Sequence, residues 1–283
     1  MNWQFLITAS IIFGSISNLL KRVIAKHTKS KPIAYSIFYM FIIGIAMTFF
    51  GLLSNQMILP NLKPLLPNLL LMGFFYGFAN IFIFKSLKQI EASKFTILFS
   101  IRTFFTILAS SFLLKEFLST RQLLGVIVVF ISIILINLKR FKFSLGKGEL
   151  FALAGAICFG LAISNDRFLL QFFKPYPYTA ISFLTASTVL AVIYPKELRH
   201  FKLFLNKDIF AKILILSILV GFNVLTFLAA LHASDNSSQV ASISLSGGVV
   251  TVLLAIIFLK ERKNLSKKII AALIGLTGLI LLQ

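Results

Sequence analysis

Arg102 and Asp166, each within an apolar run of this 283-residue chain, set its possible chemistry. An arginine near the centre of a membrane helix costs at least about 2.5–3.5 kcal/mol on insertion scales and is usually kept for function. Arg102 suits an anionic group on a substrate. The alternative is structural: Arg102 lies about 12 Å beyond Lys94 at ~1.5 Å rise per residue. Because helical side chains lean toward the N-terminus, its guanidinium can snorkel to the surface or join a structural pair. Asp166, the one carboxylate comfortably within such a run, is the candidate for proton coupling. It falls 17 residues after Glu149, about 25 Å along a helix, which puts it near the outer interface as a hydrated carboxylate beside Arg167. The same arithmetic separates Arg102 from Asp166 by roughly 13 Å in depth, so the two are not expected to pair.

Amides and hydroxyls supply the rest of the candidate site. Asn18, Tyr76, Asn80, Ser100, Arg102, Thr103, Asn223 and Ser246 form the expected substrate-contact set. Thr96, Ser100 and Thr103 recur at the i, i+4, i+7 spacing of one helical face, continued by Ser110, and Ser238, Ser242 and Ser246 repeat the pattern later. Either these stripes line a polar passage, or hydroxyls and small residues such as Gly247 and Gly248 let helices approach and hydrogen-bond across the contact. Covalent and metal chemistry find no support. The histidines His27, His200 and His232 have no ligand spacing and no catalytic partner, and the single cysteine, Cys158, excludes an intramolecular disulfide. No cofactor, metal or enzymatic activity is expected.

What must position these residues is a bundle of membrane helices. The chain is 58% hydrophobic and 13% charged, with a mean hydropathy of +0.96, far from the roughly 25% charged composition of soluble domains. Apolar runs of about 17–24 residues match the ~30 Å of hydrocarbon that a helix must cross. They predict an all-α polytopic membrane protein with ten transmembrane helices near 3–20, 33–53, 68–87, 95–114, 122–138, 149–171, 176–194, 209–231, 239–259 and 269–282. The first run lacks a basic leader and a small-residue cleavage site, so it is read as a retained span. The fifth and tenth runs are nearly free of polar residues and belong at the periphery.

The net charge of +20 distributes by side. Odd-numbered loops and their flanks carry 22 Lys and Arg, the even-numbered side five, and Arg102 is the remaining one. The positive-inside rule then places odd-numbered loops in the cytoplasm and both termini outside, for a multi-pass protein of the cell membrane. The excess charge orients helices and binds anionic lipid headgroups; no basic patch is large enough for nucleic acid.

Residues 91–116 align without a gap on 236–261, sharing Ser93/Ser238, Thr106/Thr251, Leu108/Leu253 and a Leu-Lys-Glu end at Leu114-Lys115-Glu116 and Leu259-Lys260-Glu261. Phe13-Gly14 likewise matches Phe159-Gly160, with Lys21 opposite Arg167. The chain therefore divides into repeats at 1–140 and 147–283, each of five helices. An odd number of spans per copy inverts one repeat relative to the other, which places a shared site near mid-membrane.

These repeat ends, a small-residue helix start at Ala92-Ser93 or Ser237-Ser238 followed by an apolar helix and a Lys-Glu end, resemble the ten-helix, duplicated EamA-type members of the drug/metabolite transporter superfamily. Phe13-Gly14 with Lys21 and Pro32, and Phe159-Gly160 with Arg167 and Pro177, resemble the opening helix of each family repeat. The resemblance covers essentially the whole chain. It implies export or exchange of small metabolites such as amino acids, nucleotide-linked compounds or drugs, by alternating access through a central polar cavity, in a monomer or homodimer. A non-transporting scaffold or sensor, or a membrane-embedded enzyme, is the alternative. Two departures stand out: relatives often carry proline early in the fourth and ninth helices, where this chain has Arg102-Thr103 and Gly247-Gly248, and relatives are usually described with cytoplasmic termini.

Overall fold

A computed structural model of the chain describes residues 3–27, 31–102, 104–106, 108–109, 119–139, 142–143, 145–233, 237–260 and 264–281. Its apolar runs form helix because a helix satisfies backbone donors and acceptors within its own segment, as hydrocarbon demands. In chain order the helices are α1 (Trp3–His27), α2 (Pro32–Leu53), α3 (Leu66–Gln89), α4 (Ala92–Phe99), α5 (Thr120–Asn137), α6 (Lys147–Leu169), α7 (Pro175–Ile193), α8 (Lys207–Ala233), α9 (Ser237–Phe258) and α10 (Leu265–Leu281). Short 3-10 segments at Lys63–Leu65 and Pro195–Leu205 precede α3 and α8. Proline opens α2 and α7, where its missing N–H and fixed φ fit the first helical turn. Between α5 and α6 a two-residue ladder pairs Leu138 with Phe143 and Lys139 with Lys142. It is a local exception to the expected all-α class.

Among the described residues, five helices are long and apolar enough to cross a membrane: Trp3–Lys26, Pro32–Leu53, Lys63–Gln89, Pro175–Ile193 and Lys207–Ala230. Their surface is inside out relative to a soluble protein. Phe5, Ile12 and Ile16 of α1 and Phe41, Ile45 and Phe49 of α2 are exposed at helical spacing, while Tyr39, Met40, Ile43 and Met47 on the opposite side of α2 are fully enclosed. The outward stripes face lipid, and the enclosed one packs the core shared with α3, α4, α6 and α8.

Helix packing exchanges the two halves. α3 packs on α6 and α1 on α8; α6 packs on α4 and α1 on α9; α3 packs on α7 and α2 on α8; and α2 meets α7, α4 meets α9 and α5 meets α10. Advancing each helix by five positions maps each of the first six pairs onto another and each of the last three onto itself, as a two-fold relation between the halves requires. The peripheral pair is joined by Ser132 of α5, whose Oγ donates to the Ala271 carbonyl of α10 at 2.7 Å. The starts of α4, α6 and α10 are tied by ion pairs: Lys94 to Glu149, and Lys268 to Glu91 at 2.6 Å. These acids and lysines flank odd-numbered loops, so the structure gathers at one end three helix starts that the charge pattern assigns to one side.

Candidate functional site

α4 is interrupted immediately before Arg102. The regular helix stops at Phe99, Ser100 and Ile101 form a turn, and helical backbone resumes at Arg102. Across the break, Ile101 N donates to Leu98 O and Phe104 N to Ile101 O, three-residue spacings in place of four. The Ser100 hydroxyl also donates to Ile97 O at 2.7 Å, a local bond that competes with the helical ladder and bends it. No proline is involved, and α9 runs unbroken through the corresponding Gly247.

The break lets α6 approach. Gly160 sits so close to α4 that an added Cβ would lie 2.6 Å from the Arg102 carbonyl oxygen and 3.1 Å from Thr106 N. Thr106 Oγ1 lies 3.1 Å from Arg102 O and 3.2 Å from Gly160 O, so one hydroxyl proton is shared between two helices. The second repeat reproduces the arrangement: Thr251 donates to Gly247 O at 2.8 Å, and Ser15 of α1 donates to the same carbonyl at 3.2 Å. The Thr106/Thr251 identity thus marks the crossing of each repeat's fourth helix with the first helix of the other.

Arg102 joins no ion pair among the described residues. Its guanidinium carbon lies 5.0 Å from the Phe99 ring and 5.1 Å from the Phe159 ring, contacts worth about 0.5–2 kcal/mol each. None of its N–H groups meets an acceptor in the described protein. Lys21 of α1 shares this region. It is 9% exposed, its ammonium stands 5.6 Å over the Tyr39 ring, and its helix packs on α4, which carries Arg102. Sequence reasoning ended the first span at Leu20 and read Lys21 as a loop charge; the helix instead continues to His27. The missed signal was Asn18, one turn before Lys21 on the same face.

Asp166 departs from the sequence expectation. It is 9% exposed rather than hydrated, and both carboxylate oxygens accept hydroxyl bonds, from Tyr76 of α3 and Tyr178 of α7. Its depth near the end of α6 matches the helical arithmetic; what the arithmetic omits is the cover supplied by the neighbouring helices. Asn165 adds a bond to Asn68 O at 2.7 Å. Tyr76 links this cluster to the arginine, because its ring meets the edge of Phe159 at 5.0 Å. Asn80 donates to Tyr76 O at 2.9 Å, one turn along the same helix.

The remaining expected contacts divide. Asn18 is half-buried with no hydrogen bond in the described protein. Asn223 donates to Ser10 O at 2.6 Å and to Ser10 Oγ at 3.0 Å, and it packs on Gly14, so it fastens α8 to α1. Ser246 lies on α9 beside Gly247, and Thr103 falls outside the described residues. The Thr96 hydroxyl bonds Ala92 O in its own helix at 2.9 Å, and its methyl would meet a Cβ on Gly248 at 3.6 Å, so this stripe packs α4 on α9. Among the described residues, no group of His, Cys, Asp and Glu has the arrangement of a metal site.

The sequence model of the EamA-like transporter family matches residues 3–138 and 146–283, one copy on each half. No curated protein matches the chain. A crystal structure of a protein with 16% sequence identity superposes with a TM-score of 0.66, over 98% of this chain and 95% of that one; at that identity the likeness is one of fold.

Proposed function

Because the chain belongs to the EamA-like transporter family, we propose that it is a secondary transporter, an exporter or exchanger of small solutes working by alternating access. Family membership makes it a multi-pass membrane protein of the drug/metabolite transporter superfamily, and supports a transporter over an enzyme. The observation that carries the finer reading is Arg102, a cation without an acceptor, held at a break in α4 where α6 of the other half crosses. The reading of ten spans in two inverted repeats is supported by the two-fold packing pattern and by an odd helix number per half. Substrate meets Arg102, Asn18 and the Tyr76–Asn80 face, with Ser100, Thr103, Ser246 and Asn223 as further proposed contacts.

Asp166 is assigned the coupling role, since it is a buried carboxylate one tyrosine removed from the arginine. In proteoliposomes with a solute panel, Arg102→Ala lowers flux at least tenfold while the protein still inserts and elutes as wild type. Asp166→Asn removes any stimulation by a pH gradient. Wild-type flux in the first variant removes Arg102 from the site, and a retained pH response in the second reduces Asp166 to a clamp between α3, α6 and α7.

The lysine-rich end is placed in the cytoplasm, and anionic lipid headgroups gather there. With Cys158 replaced by Ser, Lys26→Cys reacts with a membrane-impermeant maleimide only after the cells are opened. Labelling of intact cells reverses the orientation.

A further inference from the structure

We infer that the solute carried at this site is a small organic anion whose carboxylate or phosphate bridges Lys21 and Arg102. The inference rests on the transporter reading and specifies its substrate class. Lys21 is 9% exposed and Arg102 half-buried, on helices α1 and α4 that pack on one another, and neither has a hydrogen-bond or ion-pair partner in the described protein. The nearby carboxylates are already engaged: Asp166 by two tyrosine hydroxyls, Glu149 by Lys94 and Glu91 by Lys268. Rings compensate a cation only weakly, and enclosed charges persist in proteins when paired.

The heads that lack partners are donors. Lys21 offers three N–H groups, Arg102 five and Asn18 two, and Tyr39 places a buried hydroxyl without a partner beside the lysine. A site with this surplus of donors and positive charge takes an oxyanion. Lys21 stands six residues before the end of α1 and Arg102 ten after the start of α4, about 9 Å and 15 Å from the lysine-rich end, so one solute can span both. Phe99, Phe159 and Tyr76 give its carbon skeleton an aromatic wall.

Moved outward without a coupled ion or counter-solute, such an anion carries net negative charge. With cations fixed to the protein and the solute as the mobile ion, flux follows membrane potential, and the steady-state accumulation of a monovalent anion changes tenfold per ~59 mV. A cell interior at negative potential drives the anion outward.

Thermal unfolding of the purified, delipidated full chain is followed with benzoate, succinate, phenyl phosphate, neutral benzamide and phosphatidylglycerol micelles. At least one of the three organic anions raises the midpoint and benzamide does not. Lys21→Gln and Arg102→Gln each weaken that binding at least tenfold, whereas Lys21→Arg stays within threefold of wild type, which separates lost charge from a damaged fold. In phosphatidylcholine vesicles, flux of the bound anion accelerates when valinomycin makes the receiving side positive. Equal effects of benzoate and benzamide, unchanged anion binding in Lys21→Gln, or stabilisation by phosphatidylglycerol alone overturns the inference. Anion binding without flux of any solute leaves the anion site standing and fails the transporter reading; binding and flux of neutral solutes alone does the reverse.

Discussion

Valine at position 160 destabilises the protein by about 3 kcal/mol or more and abolishes transport. Overpacking a filled core by a methylene or two costs about 1–3 kcal/mol, and here the obstruction is worse than side chain against side chain. The first added carbon falls 2.6 Å from a backbone oxygen and 2.8 Å from Phe105 Cβ, so α4 and α6 must separate. Separation removes the Thr106 bond between them and pulls Phe159, the residue next to Gly160, away from the guanidinium. Gly14, the counterpart in the first repeat, is the control: its added Cβ would meet the amide nitrogen of Asn223 at 2.7 Å. A side-chain amide can swing aside, so Gly14→Ala is milder than Gly160→Ala. Melting followed by size-exclusion recovery checks this; a Gly160→Val midpoint equal to wild type means the halves do not meet there.

The second large effect lies at the ion pair between the first turns of α4 and α6. Lys94 and Glu149 expose 15% and 10% of their side chains. Removing one partner of a buried pair costs about 3–5 kcal/mol because the other charge is stranded, whereas replacing both with apolar groups is often neutral. Lys94→Ala alone is expected to lose about 3 kcal/mol, and Lys94→Leu with Glu149→Leu to recover most of it. The single Cys158, half-buried in α6, serves as the reporter, since a thiol-reactive dye labels it as the bundle opens. If the double substitution is as unstable as the single one, the pair orients these helices through more than its own charges.

Most of the scaffold was legible in the sequence because hydrocarbon allows little else than helix, and the duplication survived in residues with a local duty. Thr106 and Thr251 are the clearest case, each bonding the carbonyl four residues before it at a crossing of the halves. In the second copy the Leu-Lys-Glu run closes α9. Lys260 adopts φ 54°, the left-handed turn that closes a helix. The site was less legible. Ser100-Ile101 contains neither proline nor glycine, so nothing in its composition announced the break in α4. Asp166 read as hydrated because its cover comes from Tyr76 and Tyr178, 90 and 12 residues away in the chain. Lys21 was hidden by the basic cluster that follows it, and Asn223 resembled a substrate contact although Ser10 holds its amide.

The threonines that bond backward along their own helices, among them Thr48, Thr96, Thr106, Thr226 and Thr251, carry one more consequence. A hydroxyl locked onto a local carbonyl shows a passing solute little more than a methyl group would. On the proposed transport reading the passage is plainer than its sequence, and discrimination falls to polar heads such as Asn18, Lys21 and Arg102, which have no hydrogen-bond partner among the described residues. Descendants of such a chain can change cargo through substitutions at those positions while the threonine scaffold is inherited intact.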